Sequence, residues 1–359
     1  MPLNAQNWQN IKDVLYQAMQ LALDERQRFL DELGTHDAPL CAEVKSLLAA
    51  DEQIPSTFLQ DAGSMASHSA QKSAEIETAG SLKSGQTFEE RFVLVRILGE
   101  GGMGQVWLAE QTLPVRRTVA LKLIKAGMYD DTVAQRFAAE RQSLAIMDHP
   151  AIAKVFEAGS TSQGQPYFVM EFVAGAPITQ YCDRNALTID ARLELFIQIC
   201  DGVQHAHQKA VIHRDLKPAN ILVTEVDGKS VPRIIDFGIA KPLTTTSLND
   251  SPLTSLGQFL GTPGYISPEQ ADFSRPDIDT RSDVYSLGVI LYVLLAGVRP
   301  FDSKPGQGPP VYEWLKKLRE DDPPRPSAKL SGLGEHSAAI SAARGMHTKQ
   351  LAARLHIKL

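Results

Sequence analysis

Cysteine is scarce: Cys41, Cys182 and Cys200 are the only three in 359 residues. They are widely spaced and fall in stretches with helical periodicity, so neither a disulfide framework nor a thiolate metal cluster is suggested. They read as core thiols of a reducing compartment. A basic excess is missing as well, with 36 Lys and Arg against 42 Asp and Glu and a net charge of -6. That balance argues against a dedicated nucleic-acid binder, whose phosphate contacts need clustered cations. No apolar run reaches the ~18 residues of a membrane span. The longest, Val284 to Val298, is interrupted by Ser286, Gly288 and Gly297 and reads as a buried helix. The start of the chain, polar by residue 4, lacks a secretory signal pattern. We therefore expect a cytoplasmic location and no nucleic-acid partner. What is present, 43% hydrophobic residues, suffices for one large or two to three smaller domains.

Three regions separate by composition. In residues 1–60, Trp8, Ile11, Val14, Leu15, Ala18 and Met19 recur at helical spacing, and Phe29, Leu30 and Leu33 form a second stripe. Asp37 can cap a third helix carrying Leu40, Val44, Leu47 and Leu48. Three short helices make a small core, read here as a structural or docking appendage. Residues 61–87 are dominated by Ser, Ala, Gly, Gln and Lys, the composition of a flexible linker. The main domain is expected over 88–359.

That domain opens with a strand, Phe92 to Leu98, running into Gly99, Gly101, Gly102 and Gly104. Glycines let backbone approach a phosphate that a Cβ would block. The spacing alone is weak evidence, because dinucleotide-binding folds share it. Here Val106-Trp107-Leu108 reads as a second strand, so the loop is a hairpin and not a strand-to-helix turn. The strand Val119-Ala120-Leu121-Lys122 comes next, then a helical stretch, Asp131 to Met147, containing Glu140. Two more strands, near Val155 and over Tyr167 to Val173, complete a five-stranded antiparallel lobe. A long buried helix is expected over Ala191 to Ala210. It leads to His213-Arg214-Asp215-Leu216-Lys217-Pro218-Ala219-Asn220, which packs a carboxylate, two cations and an amide into eight residues. Short buried strands at 221–223 and 234–235 precede Asp236-Phe237-Gly238. A Ser- and Thr-rich segment, Lys241 to Leu260, ends at Gly261-Thr262-Pro263 and Ser267-Pro268-Glu269. Asp283 opens the apolar helix, and one amphipathic helix is expected near Val311 to Leu318.

In this order and spacing the motifs over residues 90–330 resemble those of bacterial Hanks-type (eukaryotic-like) serine/threonine protein kinases. The resemblance implies an α+β, two-lobed fold with a β-rich N-lobe, a helical C-lobe and ATP in the cleft. It implies that Asp215 accepts the proton of the attacking hydroxyl and that Lys217 meets the γ-phosphate. Lys122 would pair with the α- and β-phosphates and be set by Glu140. Asn220 and Asp236 would hold Mg²⁺ or Mn²⁺. Leu98, Gly99, Gly101, Gly102, Gly104, Val106, Ala120, Met170, Glu171, Val173 and Leu222 would surround the nucleotide, with backbone groups of Glu171 and Val173 as the hinge. Asp283 would accept backbone donors of the catalytic loop, although an ordinary helix N-cap fits its position too. Arg214 would pair with a phosphorylated residue of the activation segment, Thr254 or Ser255 first. Thr262 would bridge Asp215 and Lys217. A protein substrate and a dimer for autophosphorylation in trans fit the same picture.

One departure stands out. The chain ends at Leu359, where the resemblance places the start of the last C-lobe helices, and no later arginine stands in a kinase-like context to pair with Glu269. The expectation is a buried carboxylate without its partner and an exposed underside of the Val284 to Val298 helix. The expected activity is ATP-dependent phosphorylation of protein Ser or Thr. The alternative is an inactive nucleotide-binding scaffold that recruits partners through its N-terminal helices.

Overall fold

The computed structural model describes residues 14, 18, 23–37, 40, 41, 44, 45, 82–101, 104–124, 147–162, 164–237, 263–271, 278–302 and 311–357. Helix α1 (Leu23–His36) carries the second N-terminal stripe. Its Leu30 joins Ala18, Cys41 and Val44 in a small buried cluster. Asp37 accepts from the Leu40 N–H at 3.0 Å, the capping role expected of it. Most of the first stripe, with Leu47 and Leu48 of the third, lies outside the described residues.

Six strands form an antiparallel sheet in the order β1-β2-β3-β4-β6-β5. They are β1 (Thr87–Phe88), β2 (Phe92–Gly101), β3 (Gly104–Gln111), β4 (Arg117–Ile124), β5 (Val155–Ser160) and β6 (Pro166–Glu171). Five were expected. The extra one, β1, falls at the boundary drawn between linker and domain, where the polar composition hides it. Gly85 N–H donates to the Leu94 carbonyl at 2.7 Å and Leu82 packs beneath the sheet. Backbone pairing thus reaches back to residue 85, with Leu82 packed just before it. Backbone pairing needs no apolar period, so composition gave no signal for it.

Alternation along the strands gives the sheet two faces. Leu94, Trp107, Val119, Leu121, Leu123 and Val169 pack together on one. The other carries Ala120, Ile124, Phe168 and Met170 into a larger core shared with the helical part. Strand β4 continues two residues past Lys122, so the lysine sits inside the strand and not at its end.

Beyond the sheet come β7 (Ala176–Pro177), α2 (Ile178–Arg184) and α3 (Ile189–Gln208). Thr188 caps α3 through the Ala191 N–H, and Leu195, Ile199, Val203 and Ala206 form its buried stripe. A hairpin follows, β8 (Ile221–Val226) and β9 (Lys229–Ile234), longer than the two short strands expected. Its turn is Asp227-Gly228, both at positive φ (50° and 73°), the two-residue turn that suits strand twist. Then come α4 (Thr280–Ala296), α5 (Val311–Glu320), α6 (Pro326–Ser331), α7 (His336–Ala342) and α8 (Thr348–Ile357).

Neither consequence expected near the end of the chain occurs. The underside of α4 is covered, because Leu295 packs with Leu330, Leu351 and Leu355 from α6 and α8. Glu269 is half-buried and accepts from the Ser282 hydroxyl at 2.6 Å, so a small donor near the start of α4 serves it. The unforeseen anchor is Arg344, 1% exposed. Its guanidinium donates to the carbonyls of Val293 (3.1 Å), Leu294 (2.9 Å), Leu295 (2.6 Å) and Ile340 (2.8 Å), satisfying the last turn of α4. Burial pulls its pKa down to about 10, which still leaves it charged at neutral pH. The equally buried Arg192 donates to Leu294, Cys182 and Ala343 carbonyls and to Asp183, tying α2, α3, α4 and the end of α7 together.

Candidate active site

The loop after α3 is built around Asp283, which lies inside α4, 1% exposed. Its Oδ2 accepts from the His213 N–H and from His207 Nε2, and its Oδ1 from the Arg214 N–H, each at 2.8 Å. The N-cap of α4 is Asp279, so the two readings of Asp283 separate in favour of the loop anchor. Burial pushes the Asp283 carboxyl upward, but these hydrogen bonds and His213 beside it bring it below the usual carboxylate value. Arg214 is held at a φ of 63°, a conformation non-glycine residues avoid unless the surroundings enforce it.

His213 is fully buried and stacks on Phe237, ring centroids 4.7 Å apart. Its Nε2 donates to the Ile235 carbonyl (3.1 Å) and its Nδ1 accepts from the Asp215 N–H (3.3 Å), which fixes a neutral ring. Desolvation lowers its pKa below 6.5. An unfolded chain takes up this proton as pH falls through 6.5 and the folded chain resists it, so acid favours unfolding. The melting temperature should drop between pH 7 and 5, and the drop should shrink in His213→Phe, which keeps the ring stack. Equal slopes in scans of both proteins would remove His213 from the account.

On this frame the chemistry-bearing groups converge. Asp215 Oδ2 pairs with Lys217 Nζ at 2.9 Å. Asn220 Nδ2 donates to the Asp215 carbonyl (2.9 Å) and to its Oδ2 (3.3 Å), which uses the amide's donor end and leaves its oxygen to face elsewhere. Pro218–Asn220 is a short 3-10 turn, as the fixed φ of Pro218 favours. Lys122, 5% exposed, forms an ion pair with Asp236, a residue held at a φ of 60° just after β9.

Above them Ala120 lies beside Met170 in the sheet, both within the large core, with Leu98 and Val106 packed against it. Leu98 is the extra residue of a β-bulge between Ile97 and Gly99, which re-aims it. Val173 is buried and Leu222 half-buried. The Glu171 N–H is taken by the Lys154 carbonyl (2.8 Å) and the Val173 carbonyl by the Gly175 N–H (3.0 Å). Of the backbone groups expected to form the hinge, these two are thus occupied within the chain. Among the described residues nothing lies within 4 Å of where a Cβ would sit at Gly99 or Gly101. Gly104 differs: at a φ of 144° its Cβ would strike the Leu123 carbonyl, so strand packing itself demands glycine there.

Residues 92–352 match the family model described as the protein kinase domain. The chain belongs to the protein kinase family. Its curled antiparallel sheet is the N-lobe and its helical part the C-lobe. Over 256 residues this kinase domain is 38% identical to "Serine/threonine-protein kinase pkn3" of Myxococcus xanthus, covering 69% of this chain and 45% of that one. Over 257 residues it is 37% identical to "Serine/threonine-protein kinase PknB" of Mycobacterium tuberculosis, covering 70% and 39%. The "Probable serine/threonine-protein kinase PknB" of Lactococcus lactis is 38% identical over 220 residues, covering 61% and 33%. The chain thus spans about a third to under half of the length of these relatives. Among solved structures, a cysteine-to-alanine variant of the Mycobacterium tuberculosis PknI kinase domain superposes with a TM-score of 0.51 at 28% identity, covering 77% of this chain and 98% of that one.

Several kinase positions expected from the sequence, Glu140, Gly102, Thr254, Ser255 and Thr262, lie outside the described residues. Sequence reasoning missed the partners that orient the loop. His207 looked like an ordinary helix residue, and Gln270 carried no signal beyond its place after Glu269. No helix among the described residues is long and apolar enough to cross a membrane.

Proposed function

We propose that this chain transfers the γ-phosphoryl group of ATP to serine or threonine hydroxyls of proteins. The observation that carries the reading is the Ile235 N–H on the Asn220 carbonyl at 2.9 Å, which ties the Asp215–Lys217–Asn220 cluster to the segment leading into Asp236, the partner of Lys122. The substrate hydroxyl loses its proton to Asp215 as its oxygen attacks the γ-phosphorus, and ADP departs with the electrons of the broken phosphoanhydride bond. Lys217 balances charge on the transferring group, and Lys122 orients the α- and β-phosphates. Glu140 acts with Lys122, and the glycines at 99, 101, 102 and 104 cover the phosphates. Met170, Leu98, Val106, Ala120 and Leu222 enclose the adenine.

The Asn220 oxygen and the Asp236 carboxylate suit a hard cation, Mg²⁺ or Mn²⁺, which would neutralise phosphate charge. Among the described residues no group of three His, Cys, Asp or Glu side chains is placed to hold a metal ion, and phosphate oxygens of ATP would be the further ligands. We assign the reaction to the cytoplasm and residues 1–60 to a docking role beside the kinase domain. The first target in our reading is the activation segment, at Thr254 or Ser255, in trans between two copies, with Thr262 kept as a structural hydroxyl. Mass spectrometry after incubation with ATP tests both points. Phosphate should appear between Lys241 and Leu260 with Mg²⁺ and vanish with EDTA. Metal-independent transfer would remove Asn220 and Asp236 from the site, and an active enzyme unmodified in that segment would overturn the assigned target.

A further inference from the structure

The Gln270 side chain spans two segments of the C-lobe. Its Nε2 donates to the Arg214 carbonyl at 3.0 Å, and its Oε1 accepts from the Ser267 N–H at 3.0 Å. A carbonyl can only accept and an N–H only donate, so chemistry fixes this orientation: the flipped amide would oppose like groups at both ends. A second bond, Gln270 N–H to Ser267 Oγ at 3.3 Å, and the Ala271 N–H on the Ser267 carbonyl at 3.0 Å close the turn that carries it. Ser267 itself is fully buried.

We infer that Gln270 is a positioning residue for the base, linking the turn at 267–271 to the peptide plane directly before Asp215. That plane is rigid, so its orientation is set by what holds its two ends. Gln270 holds the Arg214 oxygen, and His213 Nδ1 accepts from the Asp215 N–H at 3.3 Å on the opposite edge. With the Arg214 N–H on Asp283, both backbone groups of a residue at positive φ are pinned. Losing one pin lets the plane rotate and carries the Asp215 carboxylate with it. The base role rests on the function proposed above.

The test is Gln270→Glu, which keeps length and an acceptor for Ser267 but sets a carboxylate oxygen against the Arg214 carbonyl. We expect kcat to fall about tenfold or more with the KM for ATP held within about twofold, because base placement and not nucleotide binding is disturbed. Amide hydrogen exchange in the peptide containing 213–217 should speed up about tenfold. Ser267→Ala, which removes only the hydroxyl contact within the turn, should change neither. If Gln270→Glu does not fold, Gln270→Leu is read by the same two measurements. Wild-type exchange over 213–217 in the Gln270 variant overturns the inference, and so does equal damage from Ser267→Ala. A wild-type chain that transfers no phosphate would sink the function while exchange still decides the positioning.

Discussion

Asp215→Asn should lower phosphoryl transfer by about 10²–10⁴-fold, the usual span for a general base. The asparagine keeps the shape of the aspartate and an oxygen for Lys217 Nζ and Asn220 Nδ2, both now seated on Oδ2. It cannot take the substrate's proton. Lys122, Asn220 and Asp236 are untouched, so nucleotide affinity should stay within a few-fold. Comparing single-turnover transfer with nucleotide titration separates the two effects. Near wild-type transfer would mean that Asp215 is not the base, and lost nucleotide binding would mean that its role is structural.

The second large effect is on stability. Arg344→Ala removes a donor from four backbone carbonyls, of which Val293 keeps the Gly297 N–H and Leu294 keeps Arg192, so Leu295 and Ile340 lose most, and it leaves a cavity in a wall shared with Arg192. Each stranded carbonyl costs about 1–3 kcal/mol, and water entering the cavity recovers part, so a total near 3–5 kcal/mol is expected. A domain is stable by only ~5–15 kcal/mol, so urea denaturation should show a sharply lower midpoint or a chain already unfolded. A midpoint unchanged within error would show that the α4 end is held by other contacts.

The contrast between these two residues tells what the sequence could disclose. Asp215, Lys217 and Asn220 sit in one short run, and their chemistry demands those residue types at that spacing, so they were readable directly. The Lys122 strand was readable from alternation, and the hairpin form of the glycine loop from the strand that follows it. Arg344 was not, because its partners are backbone carbonyls about fifty residues away, and carbonyls have no residue identity to search for. The same reason hid β1, which pairs by backbone, and Gln270, whose partner is the Arg214 carbonyl. Glu269 misled for a related reason: the resemblance implies an arginine partner, and a serine hydroxyl supplies the bond.

The central claim is that this cleft delivers phosphate from ATP to an aliphatic hydroxyl. Phosphoamino-acid analysis of a mixed protein substrate incubated with the chain, Mg²⁺ and γ-labelled ATP tests it most directly. The account predicts label on phosphoserine and phosphothreonine that disappears with Asp215→Asn. Label confined to phosphotyrosine, equal label from the variant, or no transfer by a folded chain that binds ATP would contradict it.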